Sequence, residues 1–150
     1  MKLLTIGFTK KPAERFFELL RNSGAKRVVD VRINNASQLA GFAKKDDLAF
    51  FLREICTIDY VHLPCLAPTK ELLSDYRKGL VDWAAYERQF MDLMSERKIE
   101  QVVDRETLHD SCLLCSEDQP HHCHRRLVAE YLNDHWGDVE VKHLGLKPEA

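Results

Sequence analysis

Short apolar runs that alternate with amphipathic helical stripes constrain this chain most. Leu3–Ile6 is the first run and ends at Gly7. Pro12 then suits the first position of a helix. Ala13, Phe16, Phe17 and Leu20 follow at i, i+3, i+4 and i+7, one helical face. Gly24 stands where such a helix stops. Val28, Val29 and Val31 form a second strand with Asp30 and Arg32 at its end. Asp46 or Asp47 can cap a helix striped by Leu48, Phe51, Leu52 and Ile55. Residues 58–63 read as a third strand. Helices follow over 69–78 and from Trp83, the latter with Tyr86, Phe90, Leu93 and Met94 inward. Residues 98–108 fit either a helix or an edge strand. Residues 112–115, 125–135 and 139–143 read as strand, helix and strand. Such alternation predicts an α/β fold: a single domain with a mostly parallel sheet of about five strands and helices on both faces.

Length and composition agree. The chain has 150 residues, 45% of them hydrophobic, enough for one core without covalent staples. One domain over 1–146 and a short tail over 147–150 are expected. The formal net charge of −2 excludes bulk basicity as a route to nucleic acid. No stretch has the roughly 18 apolar residues of a membrane span, and the apolar start is too short for a signal peptide. A cytoplasmic protein is expected. Five cysteines are then free for metal binding or reactivity rather than disulfides.

In open parallel sheets, ligands bind beyond the carboxyl ends of the strands. The polar residues gather there. Thr9, Asp30, Arg32, His62 and Glu117 all follow strand ends, and the helix carrying His124 and Arg125 starts at the same rim. A helix N-terminus with arginines beside it suits an anion. Arg32 and Arg125 are the expected anion contacts, with Thr9, Ser37 and His62 beside them. Ser37 and Phe42 lie in a stretch, 33–45, that is long for a connection in a compact domain. Asp30 with Arg32 can equally be a local ion pair. Glu117 can be a general base or the salt-bridge partner of an arginine.

Residues 112–126 hold three of the five cysteines and three of the seven histidines. Three readings compete. Zinc can take Cys115 and Cys123 with His122, although Cys112 and Cys115 lie three apart on a strand and so face opposite ways. A catalytic thiol can sit at Cys123, before a helix N-terminus, with His122 or His124 as base. The third reading is packing, which also suits Cys56, Cys65 and Cys112. Ala129 stands six residues beyond Cys123, so the Cys-x5-Arg phosphate cradle is missing.

Four ordered blocks carry a resemblance: TIGFT at 5–9, VVDVRINNASQLAGFAKKDDL at 28–48, YVHLPCLAPTKELL at 60–73 and CLLCSEDQPHHCHRRLVAEYL at 112–132. Together they resemble the family called domain of unknown function 488. The resemblance points to Thr5, Gly7, Thr9, Asp30, Arg32, Ser37, Tyr60, His62, Cys115, Glu117, Cys123, His124 and Arg125. The chain departs from many relatives at Asn34-Asn35-Ala36, where they carry a proline.

The expected function is an enzyme for a small anionic substrate, nucleotide-like or derived from nucleic acid. Cys123, His124, Glu117 and Asp30 are its expected catalytic groups, and no cofactor is required. The alternative is a nucleic-acid-binding or structural module with a cysteine/histidine zinc site, in which Lys10, Lys11, Lys44 and Lys45 contact phosphates.

Overall fold

The computed structural model describes residues 1–34 and 41–146. Ser37 and the tail over 147–150 lie outside the described residues. The order is β1 (Lys2–Gly7), α1 (Ala13–Ser23), β2 (Arg27–Asp30), α2 (Lys45–Phe51), β3 (Asp59–His62), α3 (Lys70–Arg77), α4 (Trp83–Arg97), α5 (Ile99–Val102), α6 (Arg105–Leu108), β4 (Ser111–Cys115), α7 (His124–Trp136) and β5 (Glu140–His143). A π-helical turn, Leu52–Cys56, extends α2. The five strands form one sheet in the order β3-β2-β4-β1-β5, and every neighbouring pair is parallel. The fold is α/β, as the alternation of patterns predicts. Residues 98–108 resolve into two short helices, not an edge strand.

The pleat sorts the strand residues onto two faces. Leu3, Val29, Leu113 and Cys115 pack with Phe90, Met94, Leu127, Val128 and Leu132 of α4 and α7. Leu4, Ile6, Val28, Cys112 and Leu114 pack with Phe16, Phe17 and Leu20 of α1 and with Leu48 of α2. Phe16 is fully buried, and an aromatic side chain moved from water to such a place contributes about 1.5–3 kcal/mol. Because the sheet is covered on both sides, β4 is buried at all five positions.

Helix ends follow local chemistry, with two differences from expectation. Pro12 precedes α1 as its cap instead of occupying the first helical position. Lys44, not Asp46 or Asp47, precedes α2; both aspartates lie in its first turn, where carboxylates complement the helix dipole. Gly24 ends α1 in the left-handed region, at φ 79°, a conformation that costs a residue without Cβ nothing. No helix among the described residues is long and apolar enough to cross a membrane.

Candidate functional site

All five strands are parallel, so their carboxyl ends share one edge, and a cavity opens there. It has a volume of about 360 Å³. Cys115, Ser116 and Glu117 line it from the end of β4, and His122, Cys123 and His124 from the start of α7. Phe8, Arg32, Ile33 and Asn34 line it from the loops after β1 and β2, and Leu73, Tyr76, Arg77, Trp83 and Tyr86 from α3 and α4.

The floor is a cluster of Cys115, Cys123 and His124. All three are buried, and their ligand-type atoms lie within 4.8 Å of one another. Two-residue periodicity turns Cys115 toward α7 and Cys112 toward α1, which removes Cys112 from the cluster. His124 Nε2 lies 2.7 Å from the Val31 carbonyl oxygen. A carbonyl only accepts, so Nε2 carries the proton and donates it. That leaves Nδ1 as the free acceptor of the ring, and Cys115 Sγ lies 3.6 Å from both ring nitrogens.

Electrostatics separate the two thiols. The Cys123 thiol hydrogen-bonds Cys115 and lowers the Cys115 pKa; the positive charge of Arg125 and the Ser116 amide assist against the cost of burial. Burial, and then that same donated bond, pushes the Cys123 thiol well up. Burial pushes Cys112 up as well. Of the two thiols it is Cys115 whose pKa is pulled down, with Cys123 as its donor, whereas the sequence reading sets the reactive thiol at Cys123.

Aromatic rings build one wall. Trp83 stacks on His122 at 4.9 Å between centroids and on Tyr86 at 5.1 Å, both at 21°. Tyr76 lies 4.9 Å from Tyr86. His122 is therefore a wall residue, and His124 takes the place in the cysteine cluster that His122 was expected to hold. Arg77, exposed on the last turn of α3, is a cation at the mouth.

Arg32 lies over the Phe8 ring at 5.2 Å. It is held there by Asp30: Nε donates to Oδ1 at 2.9 Å and Nη2 to Oδ2 at 2.8 Å. Nη2 also donates to the Ala43 carbonyl at 2.7 Å. The Tyr60 hydroxyl donates to Asp30 Oδ2 at 2.5 Å. Asp30 is fully buried and does not line this cavity, so its place is that of an orienting partner for Arg32 and not of a general base. His62 Nε2 donates to the Arg32 carbonyl at 2.6 Å and supports the same turn from outside the cavity.

Arg125 also departs from the expected role. It is fully buried and does not line the cavity. Its Nη1 donates to the Glu117 carbonyl at 2.5 Å, its Nη2 to the Asp118 carbonyl at 3.2 Å, and its Nε to Thr5 Oγ1 at 3.3 Å. It clamps the β4–α7 loop to β1, and its charge reaches the cysteines through the protein. The Glu117 backbone, not its carboxylate, meets Arg125. The carboxylate is exposed where the cavity adjoins a smaller hollow lined by Thr9, Lys10 and His121. The Thr9 hydroxyl donates to the Ser116 carbonyl at 2.7 Å, so Thr9 braces the loop. Lys11 is buried against Asp118 and is spent on that ion pair.

Gly7 pairs in register with Cys115 and faces α7. A Cβ there would lie 1.6 Å from the Glu117 carbonyl oxygen. The glycine makes room for the loop that Arg125 clamps. Sequence reasoning passed over the aromatic wall and Arg77. Aromatics at Trp83, Tyr86 and Phe90 were legible as one helical face, but only as core.

Comparison with family models matches residues 12–132 to the model described as "Domain of unknown function DUF488". No curated protein and no solved structure matches the chain.

Proposed function

The chain belongs to the DUF488 family, and from that premise we propose that it is an enzyme acting on a small anionic, nucleotide-like substrate in the cavity at the carboxyl ends of its strands. The convergence of Cys115, Cys123 and His124 beneath an aromatic wall carries this reading. Each part has a role. The aromatic wall offers a planar ring the exposed His122, itself stacked on Trp83. Arg77 meets the anionic group, and Arg32, pre-oriented by Asp30, adds positive potential. Cys115 is the nucleophile: its sulfur bonds the substrate as the leaving group departs with the bonding pair. Glu117 at the mouth is placed to take a proton from the water that later frees the sulfur.

Iodoacetamide labelling of Cys115, read by peptide mass spectrometry, tests this. Nucleoside mono- and diphosphates are expected to slow the labelling, and unphosphorylated nucleosides to do so weakly. Arg77→Ala should weaken that protection by roughly 10–100-fold, the value of a hydrogen bond to a charged group. If no phosphorylated nucleoside protects Cys115 at millimolar concentration, the reading fails.

A further inference from the structure

We infer that Cys115, Cys123 and His124 form a binding site for a soft divalent metal, zinc above all, with a coordination position open to the cavity. The inference rests on the cavity being the active site and specifies what its floor presents. Two thiols and an imidazole are the donor set that zinc prefers. Their ligand atoms already lie within 4.8 Å of one another, before any metal draws them in. Tetrahedral zinc, with Zn–S about 2.3 Å and Zn–N about 2.0–2.1 Å, holds sulfur and nitrogen about 3.5 Å apart. Cys115 Sγ stands 3.6 Å from each ring nitrogen of His124, of which Nδ1 is the one not engaged by the Val31 carbonyl.

The second observation is independent of that spacing. Metal-bound histidines as a rule donate their other ring nitrogen to a carboxylate or carbonyl, which sets tautomer and ring orientation. His124 does so, through Nε2 to the Val31 carbonyl at 2.7 Å. The three residues also sit on well-anchored backbone: the last residue of β4, and the cap and first residue of α7. Two thiolates neutralise a divalent cation, so binding releases as many as two thiol protons and leaves a neutral centre.

Three protein ligands leave a fourth position, the pattern of catalytic rather than structural zinc. All three residues line the cavity, so that position faces the substrate space. The metal-free floor presents the Cys115 sulfur; the loaded floor presents the metal.

The test uses the whole chain, stripped with a chelator and titrated with Co²⁺ and then Zn²⁺. One equivalent of Co²⁺ should give the near-ultraviolet thiolate charge-transfer band and tetrahedral visible bands, and Zn²⁺ should displace it. Cys115→Ser and Cys123→Ser should each weaken binding by more than the roughly 10–100-fold that loss of an outer partner costs. Cys65→Ser, outside the cluster, should bind as the native chain does. Because a cluster variant can misfold, the native chain supplies a second readout: Zn²⁺ should block iodoacetamide labelling of Cys115. Absence of the thiolate band, or undiminished binding in the Cys115→Ser/Cys123→Ser double variant, overturns the site. No metal binding together with nucleotide protection of Cys115 defeats this inference alone. Metal binding without any nucleotide protection defeats the substrate reading and leaves the metal site standing.

Discussion

Gly7→Ala is the sharpest mechanical test of the clamp behind the cysteine cluster. The new Cβ would sit 1.6 Å from the Glu117 carbonyl oxygen and 2.5 Å from its carbon. Even the closest contact that real Cβ atoms make, 3.0 Å, requires the oxygen to retreat by about 1.4 Å. That oxygen accepts from Arg125 Nη1 at 2.5 Å, and the loop is pinned again through the Asp118 carbonyl. The loop cannot move that far and keep both bonds. Losing a hydrogen bond to a buried charge costs about 1.5–3 kcal/mol, and overpacking adds about 1–3 kcal/mol. The total is about 2.5–6 kcal/mol, or roughly 5–25 °C in Tm for a domain of this size. Urea unfolding followed by tryptophan fluorescence measures it. Gly41→Ala is the control, since a Cβ there meets no described atom within 4 Å, and it should stay within about 0.5 kcal/mol of native. If Gly7→Ala unfolds within that same margin, the carbonyl is not held against β1 as described, and the account of Arg125 falls with it.

Three further outcomes follow from the buried polar groups. Asp30→Asn strands the Arg32 guanidinium in a site 5% exposed and should cost about 3–5 kcal/mol, whereas Tyr60→Phe, which removes one donor to the same carboxylate, should cost about 1–2 kcal/mol; denaturant midpoints compare them. Arg125→Met leaves two loop carbonyls without their donor and removes the charge that favours the Cys115 thiolate, so at neutral pH it should both lower Tm and slow Cys115 alkylation; unchanged alkylation in a folded variant would remove Arg125 from the thiol's electrostatics. His143 has a folded pKa lowered by burial and then by Arg125, and its Nδ1 lies 2.6 Å from Thr5 Oγ1. The unfolded chain therefore binds the proton more readily, so the native state loses stability as pH falls below about 6.5. His143→Gln should flatten that part of the stability-against-pH curve, and an unchanged slope would count against His143 as its source.

The fold was largely legible because its signals are local. Phe16, Phe17 and Leu20 repeat at a helical spacing whatever surrounds them, and Val28, Val29 and Val31 suit a buried strand in any order of strands. Even the split between Cys112 and Cys115 follows from the two-residue period of a strand. Residues 98–108 were not legible, since two four-residue helices are too short to establish a period. The common rim was legible too, because parallel strands must end on one side and polar residues follow each end.

What each rim residue does there depends on which neighbours fill its hydrogen bonds, and those neighbours come from distant parts of the chain. Asp30 and Arg125 look alike in sequence as charged groups beside a strand or helix end. Burial against Arg32 and Tyr60 turns one inward, and two loop carbonyls claim the other. The order of the two cysteines was equally hidden. Cys115 ends a strand and Cys123 precedes a helix, and only their mutual hydrogen bond and the field of Arg125 decide which thiol has its pKa pulled down. By itself the sequence determined the alternating pattern, the parallel sheet and the edge where polar residues collect, because period and polarity are properties of short segments. Tertiary structure alone decided that Cys115, Cys123 and His124 meet beneath Trp83 and Tyr86, because that meeting depends on how β4, α4 and α7 pack across the sheet.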